Sequence, residues 1–145
     1  MINPNLSKRQ SESYRCLTQL DASVAEAAKR SGLDSLLIEL VKIRVSQLNG
    51  CAYCLRMHTR DAIRLGESAE RLAVLAAWWE SQYFTEQERS ALALAEELTE
   101  MPVPEPRRWD DGSLTEDQAA AVAWQTVVMN SWNRLAVFSH YPVAP

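Results

Sequence analysis

The 145-residue chain lacks the features that mark nucleotide-binding, membrane and secreted proteins. It has only four glycines, and none belongs to a glycine-rich phosphate-binding loop, which disfavours a doubly wound nucleotide fold. No apolar run approaches the roughly 18 residues of a membrane-spanning helix, and the N-terminal stretch MINPNLSK lacks the apolar segment of a signal peptide. We therefore expect a cytoplasmic protein with no membrane partner.

Clustered positive charge and cysteine are also scarce. The 15 Lys and Arg residues are scattered and outnumbered by 19 Asp and Glu, giving a net charge of −4, so nucleic acid is not an expected partner. Three cysteines do not make a secreted disulfide framework, and a reducing cytosol would leave a cysteine pair free to cycle. We expect the isolated Cys16 to be a packing residue.

Helical periodicity, by contrast, runs through almost the whole chain, without an alternating strand pattern or an internal repeat. The length and the 47% hydrophobic content favour a single all-α domain over residues 1–145. The predicted helices run from about Lys8 to Arg30, Ser35 to Leu48, Cys51 to a stop at Gly66, Ser68 through Trp79, Thr85 to about Thr99 and Thr115 through about Phe138.

Several of these helix ends have specific signals. Asp34 or Ser35 can cap the second helix, and Thr85 and Thr115 each begin a capping-box pattern. Prolines 102, 104 and 106 end the fifth helix and predict a surface loop as far as Gly112. Four tryptophans on helices are expected to be core or interface anchors: Trp78, Trp79, Trp124 and Trp132.

The stretch Cys51-Ala52-Tyr53-Cys54-Leu55-Arg56-Met57-His58 contains the most reactive side chains. Asn49-Gly50 is a turn signal that would begin a helix at about Cys51, and the two thiols and the imidazole would then share an arc of roughly 60°. A helix N-terminus stabilises a thiolate, and His58 could take the proton, so we expect a thiol pKa below the free value of about 8.5. The two sulfurs could also close a small disulfide.

Glu39 lies one helix upstream, with Leu36 and Ile43 on its side of the helix. Partial burial would raise its pKa and suit it to acid–base work near neutral pH. A solvated surface role for Glu39 and a core role for His58 remain the simpler alternatives.

Three other interpretations of the cysteine pair stay open. Both thiols could be buried small hydrophobes, or they could form a structural disulfide, which a reducing compartment disfavours. A zinc site could use Cys51, Cys54 and His58, but it would need a fourth ligand, and the sequence has no second CxxC or HxxxH motif. We therefore expect neither a metal nor an organic cofactor.

The order and spacing of Glu39, Cys51, Cys54 and His58 resemble the signature of the AhpD-like alkylhydroperoxidases, within the carboxymuconolactone decarboxylase superfamily. The similarity is densest from about Leu36 to Gly66, including ELVKIRVSQLNGCAYCLRMHTRDAIRLG, and is weaker at Trp132-Asn133-Arg134. The resemblance implies a single-domain helical bundle with the CxxC motif at a helix N-terminus.

The same resemblance assigns roles to the four residues. Cys54 would attack the peroxide, Cys51 would resolve the product and face the reductant, and Glu39 and His58 would form a proton relay. Tyr53 stands where the better known peroxidases carry a histidine. Decarboxylases proper generally lack the CxxC pair, so its presence favours the redox branch.

The function implied is a thiol-dependent peroxidase that reduces hydroperoxides through a dithiol–disulfide cycle. The expected partners are a hydroperoxide substrate, a lipoyl-bearing or thioredoxin-like dithiol donor, and further copies of the chain in a dimer, trimer or hexamer. The alternatives are a redox-sensing or interaction protein that uses the same disulfide without turnover, and a carboxymuconolactone decarboxylase-like enzyme.

Overall fold

The structure is a computed structural model that describes residues 2, 4–102 and 109–145. Within these residues all regular secondary structure is helical, which confirms the predicted all-α class. The elements are α1 (Leu6–Arg9), α2 (Ser11–Arg30), α3 (Ser35–Asn49), α4 (Ala52–Arg64), α5 (Ala69–Val74), a 3₁₀ segment (Leu75–Glu80), α6 (Glu86–Glu100) and α7 (Glu116–Phe138).

Helix α3 lies at the centre of the bundle. It packs against α4, α6 and α7, while α7 also packs against α2 and α6. Nine of the fifteen residues of α3 are buried, including Glu39, Arg44 and Ser46. Because a buried polar group is costly without a partner, each of these three side chains has to be paired inside the bundle.

The predicted helix signals operate at most of the ends. Asp34 caps α3 by accepting the N–H of Leu36 at 2.7 Å. The capping boxes at Thr85 and Thr115 both form, with reciprocal hydrogen bonds between each threonine and the third helical residue. After α4, Gly66 adopts a φ of +99°, a left-handed conformation that ends the helix at little cost.

Three predictions about the helices and their residues are wrong. The first predicted helix is two, because Gln10 (φ −134°, ψ 67°) interrupts it. The segment after Ser68 passes from α-helix into a 3₁₀ segment and kinks at Ala77. Cys16 is exposed rather than packed, because it lies on the outer side of α2.

The predicted proline loop is only partly described. Helix α6 ends at Glu100, two residues before Pro102, but Pro104 and Pro106 lie outside the described residues. Among the helices in residues 2, 4–102 and 109–145, none is long and apolar enough to cross a membrane.

The four helical tryptophans divide into two groups. Trp78 is buried and Trp132 packs partly buried against the core, as predicted. Trp79 and Trp124 are 51% and 52% exposed on the surface of the protomer. They are therefore not core residues within a single copy of the chain.

Candidate functional site

The turn between α3 and α4 sets the position of the predicted site. Only Gly50 and Cys51 separate the two helices, and Gly50 adopts a φ of +65°, which glycine reaches without strain. The chain therefore reverses sharply, and α4 packs against α3. This reversal brings His58 of α4 to Glu39 of α3, which lies nineteen positions earlier.

The two cysteines of the motif occupy the first turn of α4. Cys51 is the N-cap, and its Sγ accepts the backbone N–H of Cys54 at 3.3 Å, as a serine or aspartate oxygen does in other helices. Both cysteines are free thiols, and they are 1% and 2% exposed. Their side chains are near enough for the Cys51 thiol to affect the pKa of Cys54.

Burial raises the pKa of Cys54 to about 12, and the contact with Cys51 acts in the same direction. A hydrogen bond with Asn133 opposes the rise but is outweighed. The expectation of a lowered thiol pKa is therefore wrong for Cys54 in the reduced protein. The helix N-terminus is present as predicted, but removal of the sulfur from water is the larger effect.

Glu39 and His58 form a buried pair beside the thiols. Nδ1 of His58 lies 2.9 Å from Oε2 of Glu39, and Nζ of Lys42 lies 2.8 Å from the other carboxylate oxygen. Because a carboxylate only accepts hydrogen bonds, Nδ1 of His58 is the donor and Nε2 is left for another partner. No hydrogen bond joins His58 to Cys54 within the described part of the chain, although both border one cavity.

The pKa of Glu39 also differs from the sequence-based expectation. Burial alone would raise this pKa, but the hydrogen bond from His58 and the charge and hydrogen bond of Lys42 together lower it below the ordinary value. The predicted burial is confirmed, at 7% exposure, while the predicted rise in pKa is wrong. Glu39 is therefore a fixed negative charge that orients His58.

A cavity of about 180 Å³ borders Cys54. Asp21, Lys42, His58 and Gln125 contribute polar groups, and half of the twelve lining residues are aromatic or thioether. These apolar lining residues are Tyr14, Tyr53, Met57, Met129, Trp132 and Tyr141. Cys54 is thus buried from bulk water but borders a cavity of small-molecule size.

A second cavity of about 180 Å³ borders Cys51 rather than Cys54. Its far wall comes from the end of α7 and the C-terminal segment, including Tyr141 and Val143. Arg56 holds this segment by donating to the carbonyl of Ala144 at 2.7 Å. The two cysteines therefore border different cavities, although they are only three positions apart.

The sequence model of the carboxymuconolactone decarboxylase family matches residues 12–97, more than half of the chain. The chain belongs to this family. The uncharacterized protein YdfG of Bacillus subtilis is 38% identical to it over 117 residues. The match covers 75% of this chain and 77% of YdfG.

Two further relatives extend the family assignment. The uncharacterized protein YnjA of Escherichia coli is 32% identical over 74 residues, covering 51% of this family member and 41% of YnjA. A crystal structure of a protein of unknown function from Agrobacterium tumefaciens, for which the role of antioxidant defence protein AhpD has been suggested, superimposes with a TM-score of 0.81. The two chains are 27% identical, with 99% and 100% coverage, which confirms the predicted AhpD-like fold.

Sequence reasoning did not identify Asn133 as part of the site in this family member. Asn133 is fully buried; it donates to Oγ of Ser46 at 3.0 Å and accepts from Asn49 at 3.0 Å. Its hydrogen bond with Cys54 favours the charged form of that thiol. The only sequence signal was the weak similarity around Trp132-Asn133-Arg134.

Gln125 of α7 was missed as well. It is 1% exposed and borders the Cys54 cavity. Neither its amide nitrogen nor its amide oxygen has a hydrogen-bond partner within residues 2, 4–102 and 109–145. A lone glutamine in a helix carries no pattern from which such a position could be predicted.

The zinc alternative requires Cys51, Cys54 and His58 to lie close enough together to bind one ion. Among the described residues, the group of three ligand-type side chains within 4.8 Å of one another is Glu39, His58 and Asp61. Neither cysteine belongs to this group, so the three ligands of the zinc alternative, Cys51, Cys54 and His58, are not assembled within the described residues. A cation at Glu39 would also compete with the ammonium of Lys42.

Proposed function

We propose that this protein is a thiol-dependent peroxidase that reduces hydroperoxides through a dithiol–disulfide cycle of Cys54 and Cys51. The observation that carries the proposal is the pair of free thiols at the start of α4, with Cys54 and His58 bordering one cavity. Membership of the carboxymuconolactone decarboxylase family, and the antioxidant role suggested for the Agrobacterium protein, support it.

In the first step the Cys54 thiolate attacks the terminal oxygen of the hydroperoxide. The S–O bond forms as the O–O bond breaks, and the departing alkoxide takes up a proton to become an alcohol. Cys54 is then a sulfenic acid, so the sulfur has been oxidised by two electrons and the peroxide has been reduced by two.

In the second step the thiol of Cys51 condenses with the Cys54 sulfenic acid. The S–S bond forms and water leaves. A dithiol donor, lipoyl-bearing or thioredoxin-like, then transfers two electrons and two protons to the disulfide and becomes a disulfide itself. The cavity beside Cys51 is the side on which we place the reductant.

Proton transfer is the demanding part of this reaction, because the raised pKa keeps Cys54 protonated at neutral pH. Nε2 of His58 can accept the proton of Cys54 and later return it to the departing alkoxide. Glu39 assists by holding Nδ1 of His58 and by stabilising the imidazolium that forms. Turnover should therefore increase with pH through the neutral range.

Assembly into an oligomer is also part of the proposal. Trp79, Trp124 and Phe138 are each about half exposed, at 51%, 52% and 54%. Large aromatic side chains of this kind are common at contacts between subunits. We propose that at least two copies of the chain associate through such surfaces.

Replacement of each thiol tests the division of labour. After treatment with peroxide, Cys51→Ser should retain a sulfenic acid on Cys54 that dimedone traps, whereas Cys54→Ser should stay largely unoxidised. Mass spectrometry of the labelled peptides reads both outcomes, and Cys16→Ser serves as the matched control because Cys16 is exposed and lies on α2. Sulfenic acid on Cys51 with Cys54 unmodified would reverse the assignment.

A second candidate function rests on the role of Cys51 as the N-cap of α4. A disulfide would change the sulfur that accepts the N–H of Cys54, and loss of an N-cap typically costs about 1 kcal/mol. Oxidation could therefore loosen the start of α4 and alter assembly, as in a redox sensor. Peroxide consumption over many turnovers with a recycling dithiol supports the enzyme, whereas one stoichiometric oxidation with a change in oligomer size supports the sensor.

A further inference from the structure

Gln125 is the buried polar group that neither the fold nor the proposed proton relay uses. Its side chain is 99% removed from solvent, and both of its polar ends lack partners within the described residues. Buried amides are nearly always hydrogen-bonded, because an unpaired one loses its contacts with water without replacement. An exception in a native structure requires a reason.

The neighbours of Gln125 on α7 do not provide a structural reason. Thr126 satisfies its own hydroxyl by donating to the carbonyl of Val122 at 2.8 Å, and Asn130 donates to Thr99 at 3.0 Å. The side-chain amide of Gln125 makes no hydrogen bond with any residue that the structure describes, and Gln125 borders the Cys54 cavity. The free donor and acceptor therefore point to a ligand as their partner.

The cavity wall indicates what kind of ligand fits. Its volume of about 180 Å³ exceeds the roughly 150 Å³ of an apolar cavity that accommodates benzene. Tyr14, Trp132 and Met129 offer apolar surface, and Asp21 and Lys42 add charged groups to the same lining. A hydrogen peroxide molecule would leave most of this surface uncovered, whereas a molecule with a ring-sized apolar group would contact it.

We propose that Gln125 binds the hydroperoxyl group of an organic hydroperoxide and the hydroxyl group of its alcohol product, an inference that rests on the proposed function. An amide presents one donor beside one acceptor, and a hydroperoxyl or hydroxyl group presents the complementary acceptor and donor. The aromatic and thioether walls hold the organic group.

Binding of an unreactive alcohol tests this proposal independently of turnover. We expect cumyl alcohol, the reduction product of cumene hydroperoxide, to bind the reduced protein and to change the fluorescence of Trp132, which borders the cavity. Gln125→Leu should weaken this binding about five- to tenfold, the equivalent of one neutral hydrogen bond. Gln19→Leu, an exposed substitution on α2, should leave the affinity unchanged.

Thermal unfolding adds a readout that a structural glutamine would not give. Removing an unpaired buried amide should leave the Tm of Gln125→Leu equal to or above that of the unsubstituted protein. Gln125→Met, which is closer to glutamine in shape, repeats both measurements in case leucine does not pack. A lower Tm in both variants would overturn the proposal, since it would mean that the amide stabilises the fold.

Peroxidase kinetics separate this inference from the proposed function. In Gln125→Leu the kcat/KM for cumene hydroperoxide should fall by the same five- to tenfold, because the variant lacks the hydrogen bonds to the hydroperoxyl group. Alcohol binding that depends on Gln125, in a protein that does not reduce peroxides, would overturn the proposed function alone. Equal alcohol affinity in the unsubstituted protein and both variants, or no binding at all, would overturn the role of Gln125.

Discussion

Two groups of buried polar side chains lie beside the same central helix, α3, and are built differently. Toward α6, Arg44 donates to Oε1 of Glu96 at 2.7 Å, and Nε1 of Trp78 donates to the same oxygen at 2.7 Å. Toward α4 and α7, Cys54 is held protonated by burial, and Gln125 has no partner within the described residues. The first group is paired within the protein, whereas the second leaves polar atoms available.

The difference separates a structural role from a chemical one. Removing one partner of a buried ion pair strongly destabilises a protein, because the other charge is left buried and unpaired. We therefore expect substitutions in the Arg44–Glu96 pair to lower the stability of the fold. Groups that bind a substrate or exchange protons with it need hydrogen-bond donors or acceptors that are not already used within the protein. Substitutions in the two groups should therefore affect different measurements.

The largest effect is expected from Glu96→Gln, which leaves the guanidinium of Arg44 buried without its anion. The free energy of unfolding should fall by about 3 to 5 kcal/mol, as measured by urea denaturation. Glu100→Gln, an exposed change on the same helix, should alter it by no more than about 0.5 kcal/mol. A loss below about 1 kcal/mol in Glu96→Gln would remove the contrast between the two groups.

The next effect is on turnover rather than on stability. Glu39→Gln keeps the shape of the side chain but removes the charge that orients and supports His58, so kcat/KM for a hydroperoxide should fall about 100-fold, or about 2.7 kcal/mol. Asp61→Asn is the matched control, because its carboxylate lies 3.9 Å from the same nitrogen but is partly exposed. Equal losses in both variants would mean that general charge, rather than the Glu39 contact, matters.

The smallest effect, when counted for each pH unit, is a pH dependence of stability caused by Cys54. Above about pH 8.5 the unfolded chain releases this thiol proton, whereas the folded chain keeps it until its pKa of about 12. The unfolded state then binds fewer protons, so the free energy of unfolding should fall as pH rises, by up to about 1.4 kcal/mol per unit. This contribution is fully present below about pH 8.5.

The slope is measured by urea denaturation of the reduced protein between pH 8 and 11. Cys54→Ala should have a shallower slope than the unsubstituted protein, and Cys16→Ala should keep the original slope because Cys16 is exposed. Parallel slopes in all three proteins would indicate that burial does not hold the proton on Cys54.

Local sequence signals predicted most of the fold. Thr85 and Thr115 begin capping boxes whose donors and acceptors lie within four residues, so their geometry does not depend on the rest of the chain. The reversal at Gly50 is similarly local. Helical periodicity then identified the helices between these signals, except where a local break at Gln10 carried no proline or glycine.

The electrostatics of the site could not be predicted in the same way, because they depend on contacts between distant segments. The pKa of Glu39 is lowered through His58 and Lys42 together, and that of Cys54 is raised by burial that several helices create. Asn133 lies 79 positions after Cys54, yet hydrogen-bonds with it. The spacing of residues along one helix therefore identified the candidate reactive residues but not the direction of their pKa shifts.

Helix α3 supplies Glu39 to the relay, Ser46 to the Asn133 contact and Arg44 to the ion pair, and most of its remaining surface is enclosed. Few of its positions can therefore vary independently during evolution. Relatives that change their chemistry while keeping this architecture should do so by substitutions on α4 and α7, whose outer faces are less constrained.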